Sequence, residues 1–144
     1  MNGKKDCEKL MNEVLPLAQK MLEKFGEFYP YGGYMKPNGE ITHVGMQDED
    51  TDHPKSKDLL YLMQDSFLSI AGTGGCIATA IVFDVRVDLP HTQVKSDAIQ
   101  VRLEHADNYS AEVFFPYQIN ADGRVVYGPA FAQEGSHRIF AKMQ

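Results

Sequence analysis

The sequence CIATAIVFDVRVDL (residues 76–89), followed by SDAIQVRLEH (96–105) and YSAEVFFPYQI (109–119), decides the fold. Apolar and polar side chains alternate along all three segments. This alternation is typical of antiparallel strands with one face buried and the other in water. The solvated face is expected to carry the polar members of the pattern: Asp84, Arg86, Asp88, Gln100, Arg102, Glu104 and Glu112.

A first helix is predicted from about Asp6 to Phe25. Its apolar side chains recur at steps of three and four residues, at Leu10, Val14, Leu17, Met21 and Phe25. Pro16 removes a backbone donor inside this segment, so the helix either kinks there or divides into two shorter helices. Gly26 is the expected C-cap, because glycine adopts the left-handed conformation without a Cβ penalty.

A second helix is predicted to begin at Ser56, whose hydroxyl is a suitable N-cap. Asp58 in the first turn favours the positive end of the helix dipole. The glycine-rich residues 72–75 end this helix, and its apolar stripe consists of Leu59, Met63, Phe67 and Ile70.

Turn signals predict the remaining strands. Residues 37–39, Pro-Asn-Gly, indicate a hairpin between two short strands. Residues 120–123 indicate a second hairpin loop, leading into a strand over Val125–Tyr127. Residues 138–141 are expected to add a short last strand.

The predicted order is α-β-β-α-β-β-β, which defines an α+β fold in a single domain over residues 1–144. We expect a two-layer sandwich: an antiparallel sheet of about five strands with both helices on one face.

Composition limits the class of partner. The 144 residues include 14 Lys and Arg against 20 Asp and Glu, a net charge of -6. Binding nucleic acid requires a basic stripe, and here the basic residues are scattered, so we expect no nucleic-acid partner. No segment approaches the roughly 20 apolar residues of a membrane span, so we expect no membrane association. An acidic surface steers a protein toward a basic partner.

The two cysteines, Cys7 and Cys76, are too few to define a disulfide framework. They are predicted to be free thiols in a reducing compartment. No uninterrupted apolar segment follows the charged N-terminal residues, so we expect no secretory signal. These features predict a cytoplasmic protein.

The acidic loop at residues 48–53 is the segment most suggestive of chemistry. Asp48, Asp50 and Asp52 match the first three ligand positions of a calcium loop. The match then fails, because His53 replaces the turn glycine and Leu59 replaces the bidentate glutamate. A metal site formed by Asp48, Asp50, Asp52 and His53 is one hypothesis, and a solvated loop is the alternative.

Catalytic motifs are absent from the sequence. It contains no Gly-x-Ser-x-Gly elbow and no His-Glu-x-x-His pair, and residues 72–75 follow a helix where a phosphate loop would precede one. No cofactor is therefore indicated, and a non-enzymatic function is favoured.

Aromatic side chains crowd the segment from residue 25 to residue 34. Tyrosines combine a large apolar area with a polar tip, which suits interfaces, although packing beneath the first helix would also explain them. The candidate interaction residues are Tyr29, Tyr31, Tyr34 and Phe114, the last an aromatic side chain among the polar positions of its strand.

The segments FGEFYPYGG (25–33), PNGEI (37–41) and YSAEVFFPY (109–117) resemble small single-domain bacterial proteins of uncharacterised function. The element order is similar to that of roadblock and profilin-like domains. The latter resemblance implies a dimerising or scaffolding module, and neither assigns site residues.

Three functions are therefore considered. The first is a non-enzymatic interaction module that self-associates, as a homodimer, through a sheet edge or the aromatic segment. The second is an immunity-like or chaperone-like protein that binds a basic protein. The third is a small metal-assisted enzyme that uses the acidic loop 48–53.

Overall fold

The computed structural model describes residues 2–45 and 55–141. It contains two helices, α1 (Gly3–Phe25) and α2 (Ser56–Gly72). The described residues also form seven strands: β1 (Tyr31–Met35), β2 (Ile41–Gly45), β3 (Ala78–Asp88), β4 (Lys95–His105), β5 (Tyr109–Ile119), β6 (Val125–Tyr127) and β7 (Phe131–Glu134). The predicted α+β class and element order are confirmed.

All seven strands join one antiparallel sheet. Six of them follow the order β2-β1-β3-β4-β5-β6, and β7 pairs with β5 outside this path. The sheet exceeds the expected five strands because β5 pairs with two short strands along one side. Its residues 117–119 pair with β6, and its residues 111–114 pair with β7. Among the described residues the last strand is β7, and residues 138–141 form no strand, so the strand predicted there is wrong.

The two helices lie on opposite faces of the sheet. Neighbouring residues of a strand point to opposite faces of the sheet. The surroundings of two adjacent glycines in β1 therefore show which helix covers which face. A Cβ on Gly32 would lie 3.0 Å from Met63 Sδ of α2, whereas a Cβ on Gly33 would lie 2.9 Å from Val14 Cγ1 of α1. The prediction that both helices share one face is therefore wrong, and the sheet is the middle of three layers.

Coverage on both sides explains the burial pattern of β3. Its residues 78–83 are all buried, whereas residues 84–88 alternate between exposed and half-buried. The expected single polar face does not exist, because the register pairs Asp84 with Ile99, not with Gln100. Gln100, Glu104 and Glu112 are buried on the α2 face.

Helix α1 runs without a break through Pro16. The hydroxyl of Tyr31 accepts a hydrogen bond from Ala18 N at 2.8 Å and donates one to Val14 O. In an ideal helix the N–H of residue 18 would donate directly to the carbonyl of residue 14. Here the Tyr31 hydroxyl of β1 stands between these two backbone groups, close to Pro16.

The helix ends agree only partly with prediction. Gly26 caps α1 in the left-handed conformation, with φ 73°, as predicted. The N-cap of α2 is Lys55, with no side-chain hydrogen bond, and Ser56 is the first helical residue. The predicted Ser56 cap is therefore wrong.

Candidate functional site: the edge of β2 and its surroundings

Two of the candidate interaction residues serve internal packing. Tyr31 is 6% exposed, and burial raises the pKa of its phenol. Tyr34 is half-buried and meets the ring of Phe67 edge-on, with ring centroids 6.1 Å apart. Tyr31 thus anchors α1, and Tyr34 anchors α2, from opposite faces of the same strand.

The other two candidates differ in exposure. Phe114 is 5% exposed, and its ring stacks on Phe131 of β7 with centroids 4.9 Å apart. The sequence could not place this side chain, because the covering strand was not predicted. Tyr29 is 48% exposed, which leaves it as the candidate with the largest free surface.

The exposed apolar surface of α1 arises from a second stripe. The side chains buried against the sheet are Cys7, Leu10, Val14, Ala18 and Leu22. Leu17 and Phe25, which the sequence analysis assigned to the apolar stripe, are 41% and 70% exposed. The buried side chains also recur at steps of three and four residues in the sequence. This pattern is harder to recognise, because two of its members, Cys7 and Ala18, are small.

One side of α1 faces β2. Glu13 Oε1 of α1 is 3.5 Å from His43 Nε2 of β2. Leu17 follows Glu13 by four residues, and residues so spaced are neighbours along a helix surface. The exposed Leu17 side chain therefore lies on the same side of α1 as Glu13, the residue that contacts β2.

Strand β2 forms one edge of the sheet, and within residues 2–45 and 55–141 its strand partner is β1. Lys36 N donates to Glu40 O at 2.8 Å, which fixes the alternation of the hairpin. Antiparallel pairs alternate between hydrogen-bonded and non-hydrogen-bonded positions. Thr42 and Val44 therefore bond to β1, whereas the backbone groups of Ile41, His43 and Gly45 point outward.

The two edges of the sheet are protected differently. At the opposite side, β6 and β7 have only three and four residues, and β7 ends at an exposed glutamate. Short strands and charged residues discourage edge pairing. Strand β2 has the sequence ITHVG, with three β-branched side chains, at 41, 42 and 44, and no lysine, acid or proline. It is the edge better suited to bind another strand.

The candidate metal ligands Asp48, Asp50, Asp52 and His53 lie outside the described residues, directly after β2 in the sequence. Across the described ranges, 2–45 and 55–141, no group of three His, Cys, Asp or Glu side chains has an arrangement that could hold a metal ion. The metal hypothesis for the acidic loop stays a prediction.

Both cysteines are buried free thiols. Burial, with the nearby charge of Asp6, raises the pKa of the Cys7 thiol to about 12. Burial likewise raises the pKa of Cys76 to about 11. Because the thiolate is the nucleophile, these environments suit packing and not covalent chemistry.

Comparison with protein-family models, with curated proteins and with solved structures gives no match. In the part of the chain that the structure describes, neither helix has the length and apolar character needed to cross a membrane.

Proposed function

We propose that this protein is a non-enzymatic interaction module that forms a homodimer through the edge of β2. The observation that carries the proposal is the outward row of backbone groups at Ile41, His43 and Gly45 on a strand without protective charges. Such an edge binds a further strand by backbone hydrogen bonds.

A second copy of the same strand is the partner that the geometry favours. Two β2 strands related by a two-fold axis would pair antiparallel and present the same surface to each other. The exposed Leu17, on the side of α1 that faces β2, would add apolar contact, and its burial would contribute to association. The resemblance of the element order to roadblock and profilin-like domains supports a dimerising role.

The test compares two substitutions of His43 by sedimentation velocity. Proline removes the outward N–H without breaking a bond to β1, since edge strands tolerate proline where the N–H faces away from the sheet. His43→Thr is the matched control, because it also removes the imidazole and its contact with Glu13 but keeps the N–H. We expect a dimer for the wild type and for His43→Thr, and a monomer for His43→Pro.

A monomeric wild type at micromolar concentration would contradict the proposal, as would a His43→Pro dimer of unchanged affinity. Leu17→Asn provides a second test that leaves the backbone intact. We expect this substitution to weaken the dimer about tenfold, since about 1.4 kcal/mol of buried apolar contact corresponds to that factor. Circular dichroism of each variant separates lost association from lost folding.

We further propose a cytoplasmic location. Both cysteines are free thiols, one in α1 and one before β3, which suits a reducing compartment. Fractionation of cells expressing the tagged protein tests this, and recovery outside the cytoplasm would contradict it.

A further inference from the structure

Three cationic side chains meet in a small cleft between α2 and β4. Lys57 comes from the first turn of α2, Arg102 from β4, and Arg138 from the segment that follows β7; Tyr61 and Gln64 complete the polar lining. The cleft has a volume of about 130 Å³. A cleft of this size suits a small group.

The helical wall of the cleft is rigidly placed. Its residues from α2 are Lys57, Leu60, Tyr61 and Gln64, whose spacing puts them on one side of the helix. The neighbouring stripe of Leu59, Met63 and Phe67 is completely buried in the core. The side chains that line the cleft therefore project from a helix that the core holds in position.

Arg102 is held within the cleft by its surroundings. Its guanidinium lies 5.0 Å from the centroid of the Phe83 ring, and its side chain is 11% exposed. Arg102 Nε is 3.6 Å from Glu112 Oε1, and it is buried without a hydrogen-bond partner among the described residues. Glu112 also accepts a hydrogen bond from Gln133 Nε2 at 2.8 Å. The neighbouring carboxylate thus satisfies Arg102 only in part.

Arg138 belongs to an anchored segment. Glu104, which is 1% exposed, accepts hydrogen bonds from Ile139 N at 2.8 Å and from Phe140 N at 3.2 Å. These bonds fix the backbone directly after Arg138 against the α2 face of the sheet. The exposed guanidinium is therefore presented to the cleft from a fixed position.

The electrostatics of the cleft favour an anion. Burial, and then the charge of Arg138, lower the pKa of Arg102, whereas the charges of Glu112 and Glu104 raise it. The two guanidinium groups therefore repel each other, and the two carboxylates offset part of that repulsion. The two nearest carboxylates, Glu104 and Glu112, also accept hydrogen bonds from the backbone and from Gln133, and they balance two of the three cationic side chains that line the cleft. These five charged groups together keep a net positive charge. An anion between the cations would relieve this repulsion in a protein whose net charge is -6.

We propose that this cleft binds a small tetrahedral oxyanion, either free phosphate or the phosphoryl group of a larger ligand. Guanidinium groups bind such oxygens through paired, charge-assisted hydrogen bonds, and Lys57 supplies a further donor. The cleft lies on the α2 face of the sheet, whereas Leu17 belongs to α1 on the opposite face. This site is therefore separate from the proposed dimer contact.

The test is an NMR titration of the full chain with inorganic phosphate at constant ionic strength. We expect saturable shifts of the Arg102 side chain and of the amides near Lys57 and Arg138. Arg138→Gln should weaken the binding about tenfold or more, since it removes a charge-assisted hydrogen bond. Arg86→Gln is the matched control, because Arg86 is exposed and pairs with Asp97 elsewhere on the sheet; it should leave the affinity unchanged.

Several results would overturn the proposal. These are the absence of saturable shifts at tens of millimolar phosphate, equal losses in Arg138→Gln and Arg86→Gln, and equal binding of acetate. O-phosphoserine distinguishes the two sources: tighter binding than phosphate indicates a phosphoryl group on a larger ligand, and weaker binding indicates the free ion. The dimer contact is read separately by sedimentation, so each proposal can fail alone.

Discussion

The bridge between Tyr31 and α1 provides a quantitative test of how the helix accommodates Pro16. Tyr31→Phe keeps the ring and its packing but removes the hydroxyl that joins Ala18 N to Val14 O. Two buried hydrogen bonds are lost, while the two backbone groups are left to pair with each other if the helix can close. We expect the free energy of unfolding to fall by about 1–3 kcal/mol, the range for an unsatisfied buried polar group.

The corresponding thermal shift follows from chain length. An unfolding entropy of about 2.1 cal/mol/K per residue over 144 residues gives about 0.3 kcal/mol/K. The midpoint of unfolding should therefore fall by about 3–10 °C, as measured by circular dichroism or calorimetry at a fixed protein concentration.

A double-mutant cycle with Pro16→Ala tests the assigned cause. Without the proline ring the helix can close its own ladder, so the loss of the Tyr31 hydroxyl should cost less in that background. We expect an interaction free energy of at least about 0.5 kcal/mol. A Tyr31→Phe cost within experimental error of zero, or the same cost with and without Pro16, would refute the reasoning.

Three further predictions follow from burial and backbone geometry. The pKa values of Tyr31 and Tyr117 are raised above 10.0, mainly by burial, so the folded state holds these protons more tightly than the unfolded chain; stability should be fully retained below pH 10.0 and fall above it in urea titrations. Both cysteines should resist thiol reagents at neutral pH until the protein unfolds, and rapid labelling of the native protein would contradict their burial. Gly32→Ala should cost about 3 kcal/mol, because its Cβ would clash with the backbone carbonyl oxygen of Ala80. Gly39→Ala, with φ 90° and open space, should cost about 1 kcal/mol, and equal urea midpoints would contradict this ranking.

The elements of the fold were predictable because their signals are local. The strand over Tyr109–Ile119 and the short strand over Val125–Tyr127 match the structure residue for residue. The glycine at 26 ends α1 as its conformational freedom predicts. Periodicity and turn chemistry depend on near neighbours in the chain, so one sequence was sufficient for these features.

The arrangement of the helices was not predictable, because it depends on which strands become neighbours. The polar positions of β3 and β4 were assigned to one solvated face, but the register places Asp84 opposite Ile99 and Arg102 opposite Ile81. Alternation reveals that a strand has two faces, and it does not identify what covers each face. The cationic cleft was not predictable for the same reason, because Lys57, Arg102 and Arg138 are far apart in the sequence.

The polar residues on the α2 face are informative because burying them is costly. Glu104, Arg102 and Glu112 would be replaced at little cost, or with a gain in stability, by apolar side chains of similar volume if the face served packing alone. Glu104 is accounted for, since it holds the backbone beside Arg138. Arg102 is only partly satisfied by Glu112 and faces a second cation, so a further negative charge bound there would stabilise this arrangement. Charges interact more strongly where water is excluded, so the burial of Arg102 beside α2 would strengthen its attraction for an anion bound in the cleft.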